Sequence, residues 1–303
     1  MNFLRRFLIL LPGLACLVPG LAQEARFVPQ FIPGKIYTYA SETTVTLQLP
    51  TPDGGKGERK VKMSHEARVV TSARSAGPGA VLDTITQRLQ FLITSPGREM
   101  RYDSADPTSQ GSALGQHFEA SRARSVLIEI DDTPKIVKAE EKGGNPGAPA
   151  GDPMPGMPQF GPDELKQMIA GLLQGFPAGS VKPGDEWSQK GRRSLGQFGE
   201  MDFEIGYHYK GDEMYQETDC AIVEFTGDLK GGVSVSGAQP GSDGGKVGFE
   251  GKNLSGRFVF DKLRRAVRES TQTVSLTIDV PGQNLKLPMT QQVTIKLVSL
   301  QDS

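Results

Sequence analysis

The chain has 303 residues, and its 37 glycines and 21 prolines make up about a fifth of it. Average proteins carry about 12% of these two residues and disorder-prone ones about 25–30%, so the composition speaks against a helical bundle and for a turn-rich β protein. A formal net charge of −1 and a pI near 6.4 leave no basic footprint for nucleic acid.

Residues 1–22 read as a signal peptide. Arg5 and Arg6 precede the apolar run Phe7 to Val18, and Gly20-Leu21-Ala22 puts small residues at the two sites a signal peptidase reads. The run is shorter than the about 20 apolar residues a membrane span needs. Cleavage is expected between Ala22 and Gln23, leaving an exported chain, periplasmic or extracellular, with no transmembrane span. Cys16 leaves the alternative of a lipid anchor, although Gly13-Leu14-Ala15 sets the leucine one place off the usual lipobox. Cys220 is then the sole cysteine of the mature chain. Beside Ala221-Ile222-Val223 it reads as a small buried hydrophobe.

From residue 23 to 140 the dominant period is two. Tyr37, Tyr39, Val45, Leu47 and Leu49 alternate with polar neighbours, as do Met63, His65, Ala67 and Val69. Alternation of this kind predicts antiparallel strands with one packed and one wet face. Further strands are expected at 79–94, 99–104, 124–131 and 134–140, with Asp53-Gly54-Gly55 and Ala76-Gly77-Pro78-Gly79 as hairpin turns.

Residues 141–161 form a Pro/Gly-rich loop without a period. It leads into the one helix expected, 162–176. Pro162 suits the first turn, and Asp163 and Glu164 favour the N-terminal dipole. Leu165, Met168, Ile169, Leu172, Leu173 and Phe176 fall on one stripe, and Pro177 ends it. From 177 to 303 a second meander is expected, continuous with the first. Its strands include Phe203, Ile205, Tyr207 and Tyr209, then 221–230, 246–260, 265–280 and Val293-Thr294-Ile295-Lys296-Leu297. The fold class is therefore mainly β: a large curved antiparallel sheet, a half-barrel of about ten to twelve strands, with the helix packed on its concave face.

The halves share a weak repeat. Pro33-Gly34-Lys35-Ile36-Tyr37 opens the first and Pro183-Gly184-Asp185-Glu186-Trp187 the second. Ile128-Glu129-Ile130-Asp131 and Phe258-Val259-Phe260-Asp261 each precede a turn and a basic residue. Together with Phe31, Tyr39 and the Phe176-Pro177 to Val181-Lys182 stretch, these motifs resemble a family of exported bacterial proteins of unknown function. That family is similar to the lipoprotein-carrier group, the periplasmic lipoprotein carrier and mycobacterial lipid-binding lipoproteins. The resemblance implies a half-barrel that holds an apolar ligand on its concave face, with helix plugging the opening. The motifs are turn-and-strand motifs, and no carrier-specific ligand residues match.

Chemistry is sparse. His65, His117 and His208 lie far apart, no Gly-x-Ser-x-Gly elbow occurs, and Gly241 to Val247 lacks phosphate-loop spacing. No enzyme, metal or cofactor is expected. Glu200, Asp202 and Glu204 share a strand face that could gather a cation, against a solvated face as the plainer reading. Lys262, Arg264, Arg265 and Arg268 suggest either contact with anionic lipid heads or a charged hairpin tip. The expected function is non-catalytic binding of a lipid or acyl chain in the bacterial envelope. The alternative is a structural or interaction module with a filled core and an envelope protein as partner. The candidate ligand-binding residues are Met154, Met157, Phe160, Leu165, Met168, Ile169, Leu172, Leu173, Phe176 and Trp187.

Overall fold

Hairpin after hairpin builds the molecule. The computed structural model describes residues 24–51, 55–143, 160–194, 200–234, 246–280 and 285–303. The first half supplies β1 (Lys35–Pro50), β2 (Lys56–Ala73), β3 (Ala80–Ser95), β4 (Arg98–Asp103), β5 (Ser125–Ile130) and β6 (Ile136–Lys142). The second supplies β7 (Glu186–Ser194), β8 (Glu200–Tyr215), β9 (Thr218–Ser234), β10 (Lys246–Asp261), β11 (Ala266–Val280) and β12 (Leu285–Asp302). All twelve join one open antiparallel sheet, eleven of them in the order β6-β5-β3-β2-β1-β12-β11-β10-β9-β8-β7, with β4 paired to β3. One edge of β3 is shared, Ala80–Ile85 pairing with β5 and Gln90–Ser95 with β4.

The two meanders therefore meet at β1 and β12, where Tyr37 faces Leu300 and Leu47 faces Met289. The sequence neighbours β6 and β7 end up as opposite edges. The chain between them has to cross the sheet. Flat, this sheet would measure about 48 Å from edge to edge at ~4.8 Å per strand. The crossing element, α3 (Pro162–Leu172), is only about 16 Å long. It packs on β3, β5 and β6, and the residues just after it already touch β7 and β8. Twist and curl of the long strands close the difference. The sheet is a trough, and α3 together with the residues that follow it bridges the two flanks.

Directly paired residues share a face, so the inner face can be followed across the sheet. At the end nearest Gly34 it carries Tyr37, Tyr39, Ala67, Val69, Leu82, Val126, Ile128, Tyr209, Val223, Phe258 and Phe260, all buried in one cluster with Leu165, Met168, Ile169 and Leu172. Burial of those four helical side chains is worth about 1.5–3 kcal/mol each. We call this end proximal. A strand-like segment, 24–33, laces across it. Ala25 exchanges backbone hydrogen bonds with Val181, Phe27 packs on Tyr209 and Phe260, and Phe31 on Tyr37.

The helix stops earlier than the stripe predicts. Gly175 takes φ +86°, and an added Cβ would meet the Tyr207 ring at 2.7 Å. Only glycine suits that turn, so Leu173 and Phe176 lie beyond α3, although both still pack on the main core. The structure also holds two helical segments that the sequence reading did not place, α1 (Pro107–Gln110) and α2 (Ala113–Arg122). Too few large apolar residues mark α2 for its stripe to stand out. Its Phe118 stacks on Phe91 at 4.3 Å and sits in a second cluster with Leu89, Tyr102 and Phe160.

The repeated motifs make the same local structure twice. Gly34 N–H donates to the Thr71 carbonyl and Gly184 N–H to that of Tyr209, both glycines having positive φ. Tyr37 pairs with Val69 just as Trp187 pairs with Tyr207. Asp131 accepts from the Thr133 and Lys135 N–H groups, and Asp261 from that of Arg264. Both aspartates are thus turn residues.

Candidate functional site

The sequence-predicted site residues do not form one surface. Met154 and Met157 lie outside the described residues. Phe160, Leu165, Met168, Ile169 and Leu172 are buried, and the helical four belong to the main core. Leu173, Phe176 and Trp187 are partly buried against the same core. Trp187 stacks on Tyr207 with ring centroids 5.6 Å apart and donates its indole N–H to the Gly175 carbonyl at 3.1 Å. Gln189 donates to the Phe176 carbonyl at 3.1 Å. This end of the crossing segment is pinned to the β7 flank.

What the sequence reading missed lies further along the strands. Away from α3, the inner face continues through Val45 and Leu47 of β1, Val61 and Met63 of β2, Leu276 and Ile278 of β11, and Leu287 and Met289 of β12. These side chains are only half-buried, whereas their proximal counterparts are closed. Val61 and Met63 lie against the second cluster and Leu276 against the main one, whereas neither cluster takes in Val45, Leu47, Ile278, Leu287 or Met289. The opposite face of the same stretch carries Thr44, Thr46, Lys60, Lys62, Ser275 and Thr277. The apolar part of the inner stretch runs about 13 Å along β1, from Val45 to Leu49, and spans about 14 Å from β2 to β11, with Arg59 and Gln291 on the same face. Beside it, Phe203, Ile205, Tyr207, Leu229 and Leu254 line an open groove of about 390 Å³, counted out to solvent, with Gln174 and Gln272 at its rim. Alternation alone signals such a face but cannot tell a covered stretch from an open one.

Two titratable groups sit where α3 begins. His65 is 5% exposed; its ring meets Phe160 edge-on at 4.8 Å and its Nε2 lies 3.4 Å from Thr86 Oγ1. Burial disfavours its charged form and lowers its pKa to about 4. Glu164 accepts a hydrogen bond from the Gly161 N–H at 2.6 Å. Burial raises its carboxyl to about 7.

The remaining charged candidates are satisfied at the surface. Asp202 pairs with Arg192 at 2.8 Å and Glu204 with Lys190 at 2.6 Å, so their face is a laced, solvated one. Lys262 pairs with Asp212 and Asp219, Arg264 with buried Asp261, and Arg268 donates to Gln216. Arg265 donates to the Val28 carbonyl. The tip's cations are engaged by Asp261, by the neighbouring β8–β9 hairpin and by Val28, which supports the reading of a charged hairpin tip. Cys220 is buried, and burial pushes its thiol up to about 11. Among the described residues no group of three His, Cys, Asp or Glu converges as a metal site. None of their helices is long and apolar enough to cross a membrane.

No family model matches the chain, so the expected membership of the carrier-like family gains no support from sequence. No curated protein matches it either. Among solved structures, a study of lipid–protein interactions in lipovitellin is similar over 90% of this chain and 26% of that one, at 8% identity and a TM-score of 0.49. A protein from Parabacteroides distasonis described as a lipoprotein is similar over 92% of this chain and 100% of that one, at 12% identity and a TM-score of 0.28. The chain thus spans about a quarter of the lipovitellin it resembles. The functional reading rests on this chain's own geometry.

Proposed function

We propose that this is an exported, non-catalytic protein that binds an apolar ligand, a lipid or acyl chain, in the open distal part of its trough. One observation carries the reading: the same inner face that is sealed by α3 at one end continues as a half-exposed apolar floor at the other. Val45, Leu47, Leu276, Leu287 and Met289 stand together on that floor, over about 13 Å along the strands and about 14 Å across them. In this reading the helix is a fixed end wall. The ligand lies beyond it, against Leu47, Val61, Leu276 and Met289.

The test uses the chain from Gln23 onward and N-phenylnaphthylamine, whose fluorescence rises in apolar surroundings. Binding is expected, with displacement by added lipid. Met289→Asp places a carboxylate in mid-floor, where desolvation without a partner costs several kcal/mol. It should weaken the probe at least tenfold, since each tenfold is about 1.4 kcal/mol. Absence of binding, or binding indifferent to Met289→Asp, refutes the site and leaves the interaction module as the better reading. Export has its own check: sequencing the N-terminus of the exported chain should give Gln23, and an acylated Cys16 would show the anchored form instead.

A further inference from the structure

Between the sealed and the open parts of the trough the inner face changes character. Thr84 and Thr86 of β3, His65 of β2, Ser41 and Thr43 of β1 and Gln272 of β11 follow one another across it. Ser41 pairs with His65, Thr43 with both Met63 and Val293, and Val293 with Gln272. Thr86 reaches His65 at 3.4 Å. These six come from β3, β2, β1 and β11, with Val293 of β12 between Thr43 and Gln272, and make a belt about 19 Å wide. On its proximal side stand Tyr39, Ala67 and Val69, fully closed; on its distal side Val45, Leu47 and Val61 of β1 and β2 are half open, while Leu89 and Phe91 of β3 and Val274 of β11 are closed.

Two features set the belt apart from ordinary packing. The Thr84 hydroxyl is completely buried and has no hydrogen-bond partner among the described residues. Such a group costs about 1–3 kcal/mol when left unmade. Second, the belt is uncharged. The inward charges of β1, β2, β3, β11 and β12 lie far from it: Lys35 and Asp302 pair with each other at the proximal strand ends, about 20 Å along β1 from Ser41, and Arg59 lies about 20 Å along β2 from His65. His65 itself is held neutral by burial at physiological pH. An anionic head placed here would be desolvated without a counter-ion, whereas hydroxyl, ester or amide groups would find donors and acceptors on both flanks.

We infer that the belt reads the head group of the ligand, and that the preferred ligand is an uncharged amphiphile, a lipid with a hydroxyl- or ester-bearing head whose chain lies on the distal floor. This rests on the binding function proposed above and narrows it to a class. A pure hydrocarbon would leave the belt unmatched, and a fatty-acid anion would leave its own charge unmatched.

The experiment displaces bound N-phenylnaphthylamine with three twelve-carbon ligands: 1-monolaurin, laurate and dodecane. Monolaurin is expected to displace the probe at least tenfold more effectively than either. Because monolaurin is also the less water-soluble of the two polar ligands, the variants decide. Thr43→Val combined with Gln272→Leu should abolish the preference by weakening displacement by monolaurin. Ser41→Ala provides a milder second variant should that pair fail to fold, with a partial loss of preference expected. Equal displacement by all three, or a preference that survives in the variants, overturns the inference while the binding function stands. A preference for laurate that is lost in Arg59→Gln would show that the head is read at the far end instead. If the probe binds nowhere, both readings fall.

Discussion

Ile169 has no exposed surface and lies at the centre of the helical stripe, inside the main core. If α3 is a fixed wall, replacing Ile169 with Ala should cost about 2–5 kcal/mol, the transfer term plus the cavity left behind. That is a large part of the 5–15 kcal/mol by which domains are stable. Removing all four core side chains of α3 would forfeit about 6–12 kcal/mol and unfold the proximal half. Urea unfolding followed by Trp187 fluorescence reads the effect, because Trp187 is pinned to Gly175 just past the helix. With a slope of about 2–3 kcal/mol per molar, the midpoint should fall by roughly 1–2 M. Gln167→Ala, on the exposed side of the helix, should stay within about 0.5 kcal/mol of wild type. The reasoning fails if Ile169→Ala leaves the midpoint in place and makes the protein take up an apolar probe more readily. That pair of results would describe a helix that lifts away from a sheet able to stand without it.

Gly175→Ala should lose about 1–2 kcal/mol to the positive φ alone, and more from the approach to Tyr207, seen as a lower melting temperature. Glu164 and His65 should push stability in opposite directions with pH. The carboxyl of Glu164 is raised to about 7 from about 4.3 when unfolded, so its contribution is present below pH ~4.3 and fades as pH rises through 7. His65 is lowered to about 4 from about 6.5, so its contribution is present above pH ~6.5 and fades as pH falls towards 4. Melting curves from pH 4 to 8 should therefore gain an upward slope with pH in Glu164→Gln and a downward one in His65→Gln; parallel curves would contradict both assignments. Asp103, held down to about 2 chiefly by the Arg88 hydrogen bond, stabilises above its unfolded value of about 3.9. The deficit of Asp103→Asn at pH 7 should accordingly shrink below pH 4 and close near pH 2.

The sheet was legible because its signal is local. Alternation through Tyr37 to Leu49 fixed which side chains face inward, and turn residues such as Gly34 and Gly184 marked where strands begin. The amphipathic stripe of α3 was legible for the same reason, but its end was not. Gly175 is forced by the nearness of Tyr207, a contact about thirty residues ahead. The candidate site was less readable still. Leu47 and Leu82 look alike in sequence, yet one is half open and the other sealed, because sealing depends on where the crossing segment lies. Choosing the most apolar stripe as the ligand surface selected the residues that the fold spends on closing itself. The polar belt hid for a similar reason: Ser41, His65 and Gln272 come from strands far apart in the chain and read singly as ordinary strand residues.

The junction between β1 and β12 governs how the molecule can be made. Tyr37 finds Val69 about 30 residues away, but its other neighbour, Leu300, lies about 260 residues away. Closing the longer loop costs only about 2 kcal/mol more, but it has to be met before the contacts that offset it exist. Until β12 is delivered, each half is a short sheet with an unpaired edge and an uncovered apolar face, the species most prone to aggregate. Loss of the last strand would therefore do more than trim the sheet. It would leave two half-sheets with no strand to join them, so β12 decides whether a trough exists at all.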